Sequence, residues 1–486
     1  MPTFTSRFRE IPRRVPIDEH NVAVQFDESK CKNCTLCRRT CANEMTVLDH
    51  YYLPSTGDVP MCVHCGQCAA VCPFGAITEV SEIEKVKAAV KNPEKIVVFQ
   101  TAPAVRVGLG EAFGKPFGTF VEGKMVAALR ALGGNYVFDT NFGADLTIME
   151  EATEMLNRLQ SEEAPIPQFT SCCPGWVEFA ELFYPDLIPN LSTTKSPISI
   201  LSTVIKTYFA KMKDIEAENI VNVCVTPCTA KKAEIRRPEL NASSQYWDIP
   251  GIRDTDYCIT TRELARWMTD EGLDFDALED SPFDEVFGRA SGGGIIFGNT
   301  GGVMEAALRT AYYLFTGRKA PAIFLPFEPV RGLEGVKKAT VTFGHFVIHV
   351  AAISGLANAR RFIDDLIVRN AFEDYSFIEI MACPGGCIGG GGQPKMKLPQ
   401  VKAARQARME ALYARDAATE IKASWENPAI QKVYKKFLGE PLGEIPESLL
   451  HTYFMSKHAQ LGKMGQVKPE DNPMSTRFKP HEVNKV

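Results

Sequence analysis

Short apolar runs and alternating polar and apolar positions divide the chain into a small N-terminal region and a large α/β region. Residues 21–27 alternate between polar and apolar, as the residues of a half-buried strand do. From residue 95 onward the pattern predicts strands at 96–99, 136–138, 220–225, 340–343 and 346–350 and helices at 121–132 and 146–160. Because strands that alternate with helices form βαβ units, this pattern predicts a mainly parallel sheet.

The predicted fold class is therefore α/β, with two lobes and a functional site between them, since ligands of α/β domains bind at strand ends. The short linker helix is predicted to start at Ser81, with Glu84 completing a capping box. The polar tail is expected to be flexible or to form an arm on the surface. The predicted segments are a lead-in at 1–18, a small α+β domain at 19–80, the linker at 81–94, the two-lobed domain with the functional site at 95–400, a helical segment at 401–455 and the tail at 456–486.

Eight cysteines in the small domain form two runs with the same C-x₂-C-x₂-C-x₃-C spacing, which suits thiolates around a cubane of iron and sulfide. Two zinc knuckles are the alternative, but four cysteines crowd each run and Pro73 follows the last one, which favours iron and sulfur. Ala42 stands where the first run would also have a proline. Such paired runs usually hold two clusters with crossed ligation, so the domain at 19–80 is predicted to be ferredoxin-like. The predicted ligand sets are Cys31, Cys34, Cys37 and Cys72 for one cluster and Cys62, Cys65, Cys68 and Cys41 for the other.

Composition narrows the class of protein further. The 486 residues predict two to four domains, and 45% hydrophobic residues allow a sizeable core. A net charge of −5 argues against nucleic acid as a partner. No apolar segment follows Arg13 and Arg14, and no stretch of 18 apolar residues occurs, so neither export nor a membrane span is predicted. The 15 cysteines then indicate metal binding in a reducing cytoplasm.

Three downstream motifs, in this order, resemble those of the iron-only, or [FeFe], hydrogenases. The resemblance covers roughly residues 20–455, and the end of the helical segment, 449–453, looks like the family's small-subunit-like part fused to the main chain. The motifs are 170–176 (TSCCPGW), 226–234 (TPCTAKKAE) and 381–394 (MACPGGCIGGGGQP), supported by 101–106, 145–151 and 298–306.

This resemblance implies an H-cluster, in which a [4Fe-4S] cube is joined to a diiron subsite that carries CO, cyanide and an azadithiolate. Lys231 would donate to a cyanide, an anionic acceptor, although a solvated lysine is the plainer interpretation. Ala102, Pro103 and Met381 would border the diiron subsite, and the glycines at 389–392 would let backbone approach it. The implied ligands of the cube are Cys173, Cys228, Cys383 and Cys387, the last of which would also bridge to the diiron subsite.

Cys172 is the predicted catalytic residue, because it neighbours a ligand but is surplus to the four-ligand set, and a thiol can pass protons. Glu151, Glu154 and Arg158 lie at i, i+3 and i+7 and share one face of a predicted helix. Alone, such a stripe would be solvated surface. The resemblance implies a relay in the order Cys172, a water, Glu154, Ser192 and Glu151, with Arg158 near the mouth, so Glu151→Gln is expected to matter less than loss of Cys172.

The implied reaction is 2 H⁺ + 2 e⁻ = H₂, with ferredoxin exchanging electrons through the two accessory [4Fe-4S] clusters and maturation proteins installing the diiron subsite. A slow H₂ sensor, a cluster-carrying assembly factor and a bare electron carrier are the alternatives. Thr226 replaces a methionine common in the family, and Ala230 and Ile198 also stand at variable positions. Cys224 and Cys258 fit no motif and are interpreted as buried structural thiols.

Overall fold

The protein is represented by a computed structural model that describes residues 13–161, 163–321, 324, 327–343 and 346–475. Most of the predicted lead-in and the end of the predicted tail, 476–486, fall outside these residues. The strands are β1 (Val24–Phe26), β2 (Ile77–Glu79), β3 (Ile96–Thr101), β4 (Tyr136–Asp139), β5 (Gln168–Phe169), β6 (Ile220–Thr226), β7 (Tyr257–Thr260), β8 (Val336–Phe343), β9 (Phe346–Ser354) and β10 (Phe377–Met381).

The helices between these strands include several short ones that carry cysteines or loop residues of the site. Some continue into π turns, such as the one at Tyr434–Leu438. The helices are α1 (Leu36–Arg39), α2 (Gln67–Val71), α3 (Ile83–Lys91), α4 (Glu122–Ala131), α5 (Thr140–Gln160), α6 (Pro174–Phe183), α7 (Pro197–Val204), α8 (Ala210–Lys213), α9 (Lys231–Glu234), α10 (Ala242–Trp247), α11 (Thr261–Asp270), α12 (Gly292–Ile296), α13 (Gly302–Thr316), α14 (Leu356–Arg369), α15 (Val401–Ala418), α16 (Pro428–Val433) and α17 (Glu444–Leu450).

The small domain is built on an antiparallel pair, β1 with β2, in which Phe26 lies opposite Ile77. The strand predicted at 21–27 is shorter than expected, because the Asn21 side chain accepts hydrogen bonds from the N–H groups of Ala23 and Val24, both at 3.0 Å. This side-chain bonding forms a turn that delays the strand. The pair brings the ends of the two cysteine runs into one domain.

The predicted capping box of the linker helix is wrong. Helix α3 starts at Ile83, and its N-cap is Glu82, whose side chain makes no capping bond. The Glu82 carboxylate instead accepts from Arg236 at 2.6 Å and from the Cys258 N–H at 2.9 Å. These contacts with residues distant in the chain replace the local cap, and they hold the linker against the lobe that contains β6 and β7.

The first lobe is a fully parallel sheet in the order β4-β3-β6-β7. Its central strands are buried on both faces, which is why they appear in the sequence as continuous apolar runs. The second lobe is a sheet in the order β5-β10-β9-β8, in which β8 pairs antiparallel to β9 and the other pairs are parallel. The prediction of a mainly parallel α/β fold with two lobes is confirmed.

Helix α5 joins the two lobes and positions the proton-relay candidates. It begins six residues earlier than predicted, because the Asp139 carboxylate caps it by accepting from the Asn141 N–H at 2.9 Å. Phe142 and Leu146 face a core that includes α7, whereas Ala144 and Ile148 face the core around α13. A helix buried on two sides in this way is held rigidly.

The C-terminal residues extend back over the small domain as an arm. The Asn472 amide donates to the carbonyl oxygens of Asp49 and Tyr51 at 3.0 and 2.8 Å, and the Val467 N–H donates to the His50 carbonyl at 3.1 Å. Two predictions were possible for the tail, a flexible segment or an arm on the surface. The described part of the tail, up to Ser475, forms an arm. None of the helices in the described residues is both long and apolar enough to cross a membrane.

Candidate active site and electron path

The first set of cysteines surrounds a cavity close to the surface. The cavity has a volume of about 350 Å³, including the solvent space at its mouth, and Cys34 is exposed. Residues from both runs meet here, because Cys72 crosses over to join the first run. The cysteines that line the cavity are Cys31, Cys34, Cys37 and Cys72, which is the first of the two crossed sets predicted from spacing.

The second set lies deeper in the molecule. Burial raises the pKa of the Cys68 thiol well above its usual range, and the neighbouring Cys62 and Cys41 raise it further. Burial also raises the pKa of Cys41 to about 12, with Cys62 adding to the effect. Burial also raises the pKa of Cys65 well above its usual range, and Cys383, Cys68 and Cys62 raise it further. The four thiols of the second crossed set, Cys41, Cys62, Cys65 and Cys68, are therefore neighbours.

The four downstream cysteines converge from both lobes. Cys173 is the N-cap of α6 just beyond β5, Cys228 follows β6, and Cys383 and Cys387 follow β10. Burial raises the pKa of Cys228, and Cys383, Cys173 and Cys387 raise it further. The carboxyl ends of parallel strands from two sheets thus bring these thiols together, in the cleft where the sequence predicted the site.

The small domain is joined directly to this cleft. The amide of Gln67, which lies between Cys65 and Cys68, donates to Cys383 Sγ at 3.2 Å and to the Gly389 carbonyl at 2.9 Å. A Cβ on Gly391 would lie 2.2 Å from the Cys65 carbonyl oxygen, so only glycine fits at this position. The second crossed set therefore adjoins the downstream cysteines, and the first set lies farther out.

Lys231 reaches the cleft, although it donates to protein groups. Its Nζ donates to the Cys172 carbonyl at 3.2 Å and to Glu234 Oε2 at 2.5 Å. Burial opposes the charge, but Glu234 and the neighbouring thiols outweigh it, so the pKa of Lys231 is raised. Glu234 is itself held by the hydroxyls of Ser196 and Ser199. The pair fixes a cationic donor beside Cys172.

The remaining predicted pocket residues are buried at the ends of two central strands. Ala102 follows β3, and its N–H donates to the Val225 carbonyl at 2.9 Å, while Pro103 starts a short 3₁₀ turn. Met381 is the last residue of β10 and shares an apolar cluster with Cys172 and Met304. Ala102 and Pro103 thus follow the strand that pairs with the one before Cys228, and Met381 lies two residues before Cys383.

The relay residues lie together, but their predicted order is wrong. Burial raises the pKa of Cys172 well above its usual range, and the charge of Glu151 is the next largest cause. The carboxylate next to Cys172 is therefore Glu151 and not Glu154. Glu151 is 1% exposed, and its Oε2 has no hydrogen-bond partner. Burial likewise raises the pKa of Glu151, and the charge of Glu154 raises it further.

Glu154 lies at the outer end of the group. Its Oε1 accepts from Arg158 Nη2 at 2.7 Å, and its Oε2 accepts from Ser192 Oγ at 2.6 Å. Ser192 also lies close enough to Glu151 to lower the pKa of that carboxyl, so it lies between the two carboxylates. The half-buried Arg158 donates to carbonyl groups at the protein surface. The spatial order is Cys172, Glu151, Ser192, Glu154 and Arg158, because the later residues of α5 are closer to its solvent-exposed end.

Sequence reasoning missed two residues of the site. Gln67 is one of the two residues between Cys65 and Cys68, and nothing in the sequence shows that this residue contacts another domain. Glu234 lies three residues after Lys231 in the second motif, and this i, i+3 spacing on one helix face is a signal that could have revealed the pair.

The donor set fits iron–sulfur clusters. All 15 cysteines fall within the described residues and are free of disulfides. In that part of the chain, no three His, Cys, Asp or Glu side chains lie as close together as the ligands of a single metal ion do. Four thiols line the cavity of the first set, which is the number of ligands that a [4Fe-4S] cluster takes. Thiolates are the usual ligands of such clusters.

The fold and these thiol groups define an iron–sulfur oxidoreductase, and comparisons with known proteins agree. Residues 95–391 match the family described as iron only hydrogenase large subunit, C-terminal domain. Residues 402–457 match the iron hydrogenase small subunit, and 58–78 match a 4Fe-4S binding domain. The chain belongs to the iron-only, or [FeFe], hydrogenase family, whose members carry an H-cluster, and it is thus an enzyme of hydrogen metabolism.

Individual relatives are consistent with this assignment. The NADP-reducing hydrogenase subunit HndD of Solidesulfovibrio fructosivorans is 45% identical over 448 residues, covering 89% of this chain and 74% of that protein. A solved structure of a variant of apo [FeFe]-hydrogenase HydA1 from Chlamydomonas reinhardtii is 38% identical, with a TM-score of 0.68, covering 78% of this chain and 99% of that one. Cytosolic iron-sulfur assembly component 3 of Bos taurus is more distant, at 29% identity, covering 81% and 82% of the two chains.

Proposed function

We propose that the protein catalyses the reversible reaction 2 H⁺ + 2 e⁻ = H₂ and exchanges electrons with ferredoxin or a similar low-potential carrier. The proton couple falls by about 59 mV per pH unit, which puts it near −400 mV at neutral pH. Plant-type ferredoxins have potentials of about −400 mV. Such a carrier therefore matches the reaction thermodynamically in either direction.

The proposed ligands follow the thiol groups of the site. Cys31, Cys34, Cys37 and Cys72 hold the outer accessory [4Fe-4S] cluster, and Cys41, Cys62, Cys65 and Cys68 hold the inner one. The H-cluster, once bound, supplies the iron site at which protons, electrons and H₂ interconvert. Its cube is held by Cys173, Cys228, Cys383 and Cys387, and the diiron subsite is installed by maturation proteins.

The proposed electron path runs inward from the surface. The exposed Cys34 makes the outer set accessible to a partner, and the inner set adjoins the cleft. The Gln67 amide contacts Cys383 Sγ at 3.2 Å from a position two residues after Cys65. A cluster held by the outer thiols would therefore exchange electrons with the partner, and one held by the inner thiols would relay them toward Cys383.

The proposed proton path also connects the surface with the cleft, along α5, and protons move inward with the electrons when H₂ is formed. Cys172 exchanges a proton with Glu151, and Ser192 carries it to Glu154, which Arg158 keeps close to solvent. The raised pKa of Glu151 lets this carboxyl hold a proton at a higher pH than an exposed glutamate would, as a relay acid must. Lys231, paired with Glu234, contributes a buried positive charge and a donor to the same cleft.

The observation that carries this proposal is a surplus thiol, Cys172, beside four converging thiols and in electrostatic contact with a buried carboxylate. Cys172→Ala tests it. General acid–base groups contribute about 10²–10⁴-fold, so we expect turnover to fall by at least about a hundredfold while the iron content stays unchanged. Cys224→Ala, which removes a fully buried thiol in β6, is the matched control and should keep its activity. Full activity of Cys172→Ala would contradict the proposal.

The alternatives differ in what they predict for the loaded protein. A sensor and an enzyme both give infrared bands of CO and cyanide, whereas an assembly factor gives none, and the turnover rate separates sensor from enzyme. The relative HndD is an NADP-reducing hydrogenase subunit, which adds NADP as an alternative electron partner. Assays with ferredoxin and with NADP(H) distinguish the two carriers. A cytoplasmic location, without a nucleic-acid partner or membrane association, remains a prediction.

A further inference from the structure

A histidine in the segment that matches the small subunit connects to the outer end of the relay. His451 immediately follows α17 and is 7% exposed. Its Nδ1 lies 2.8 Å from Thr193 Oγ1, and its Nε2 lies 3.2 Å from Glu150 Oε2. Thr193 in turn uses its N–H to donate to Glu154 Oε1 at 3.3 Å. Two hydrogen-bonded steps thus link the imidazole to the relay carboxylate.

The backbone around Thr193 is held from both sides. The Ser192 N–H donates to the Phe169 carbonyl of β5 at 2.8 Å. On the other side, the Thr452 N–H donates to the Thr193 carbonyl at 2.8 Å. Thr194 forms an antiparallel bridge with His451. The residues that carry the relay serine therefore form a short ribbon whose outer edge belongs to the C-terminal segment.

Glu150 fixes the orientation of the imidazole. This carboxylate is fully buried and accepts from the Tyr434 hydroxyl and from the Leu442 N–H at 2.7 Å. Because both carboxyl oxygens of Glu150 already accept hydrogen bonds, the Nε2 of His451 is assigned as the donor between them. In the neutral ring, Nδ1 is then the acceptor of the Thr193 hydroxyl. The ring thereby fixes the direction of that hydroxyl.

Other charged groups lie nearby but are already occupied. Lys195 Nζ donates to the Leu449 carbonyl at 2.8 Å and lies 3.6 Å from Asp254. Arg158 is paired with Glu154. Glu150 is thus the carboxylate that faces the imidazole, and Thr193 is the contact between the imidazole and the relay.

We propose that His451 is a positioning residue of the proton relay, which orients Thr193 so that the Thr193 N–H holds the Glu154 carboxylate against Ser192. This inference rests on the relay proposed above. Glu154 has two oxygens and several donors, and its Oε2 must stay on the Ser192 hydroxyl for a proton to pass. The N–H of Thr193 and the guanidinium of Arg158 occupy Oε1, and Oε2 accepts from the Ser192 hydroxyl at 2.6 Å and from the more distant Thr194 hydroxyl at 3.5 Å.

Three substitutions separate the contacts of the imidazole. Thr193→Val keeps the shape and the N–H but removes the hydroxyl. His451→Asn keeps a polar group at the position of Nδ1, whereas His451→Gln keeps one at the position of Nε2. One lost hydrogen bond corresponds to about a fivefold effect. We therefore expect Thr193→Val and His451→Gln to slow H₂ evolution about fivefold with a larger solvent deuterium isotope effect, and His451→Asn to stay closer to the unchanged protein.

A spectroscopic readout distinguishes positioning from a loss of structure. We expect the carboxyl stretching bands of the relay in infrared difference spectra to shift in Thr193→Val and His451→Gln, while the CO and cyanide bands stay in place. His458→Gln is the matched control, because this histidine of the same segment bonds the Leu182 carbonyl instead, at 2.9 Å. It should change neither the rate nor the carboxyl bands.

Glu154→Gln separates failure of this inference from failure of the relay. If Glu154→Gln leaves turnover unchanged, the relay itself is wrong. If it slows turnover while Thr193→Val and His451→Gln match the unchanged protein in rate, isotope effect and carboxyl bands, only the role of His451 is overturned. Slower turnover with an unchanged isotope effect and unchanged carboxyl bands would also overturn it. Should His451→Gln fail to fold, Thr193→Val decides alone.

Discussion

The contact between Gln67 and Cys383 predicts how the inner part of the electron path sets a cluster potential. The Gln67 amide donates to Cys383 Sγ and to the Gly389 carbonyl, and Gln67 is only 4% exposed. Gln67→Met keeps a flexible side chain of similar length and removes both donated hydrogen bonds. The substitution therefore changes the polarity at the thiolate sulfur with little change in packing.

The expected size of the effect follows from the strength of one hydrogen bond. A donor to a thiolate ligand stabilises the reduced cluster more than the oxidised one, because the reduced cluster carries more negative charge. A net contribution of about 1 kcal/mol for the bond corresponds to roughly 40 mV for one electron, since a tenfold change in equilibrium is 59 mV. We therefore expect the potential of the cube held by Cys383 to fall by about 40 mV.

The measurement is a redox titration of the cluster-loaded protein followed by electron paramagnetic resonance. Gln25→Met is the control, because Gln25 lies in the same small domain and donates to Thr78 Oγ1 at 3.2 Å on an exposed edge. It should leave every cluster potential unchanged. An unchanged or higher potential in Gln67→Met, with all clusters present, would refute the assignment of Cys383 and Gln67 to one electron path.

Other predictions address the relay, the core and the arm. Glu151→Gln should reduce turnover about a hundredfold or more and at least as much as Glu154→Gln, and the opposite ranking in H₂-evolution assays would restore the order predicted from sequence. Asp145→Ala should lower the free energy of unfolding in urea by about 3 kcal/mol, because it leaves buried donors of Ser291, Ser424 and Asn427 without their acceptor, and a value near zero would contradict this accounting. Deletion of residues 456–486 should lower the melting temperature and release accessory-cluster iron faster, since it removes the donor to the Asp49 and Tyr51 carbonyls, and unchanged iron release would count against a clamping role.

The sequence predicted features that depend on local spacing. The crossed sets of cysteines are predicted from two runs of identical spacing, and Cys31, Cys34, Cys37 and Cys72 line one cavity, while their role as ligands stays a prediction. The apolar runs at 96–99 and 220–225 correspond to central strands β3 and β6, because strands buried on both faces need apolar residues at every position.

Features that depend on tertiary partners were missed or misjudged. Helical spacing places Glu151 and Glu154 on one face but does not say which end of α5 faces the thiols, so the relay order came out reversed. The capping box at Ser81 failed because Arg236 and the Cys258 N–H bind Glu82. Gln67 and His451 contact residues that lie more than 250 positions away in the chain, and no local sequence pattern encodes such contacts.

Gly391 and Gly66, which lie where the small domain meets the cleft, have a consequence for attempts to replace the electron-transfer domain of this enzyme. Gly391 admits the Cys65 carbonyl, and Gly66 admits the Thr229 hydroxyl, which a Cβ there would approach to 2.3 Å. A foreign redox module spliced in at the linker would meet a surface shaped for one particular backbone path. A working chimera will therefore need a matching turn in the new module and a glycine on each side of the contact between the module and the cleft.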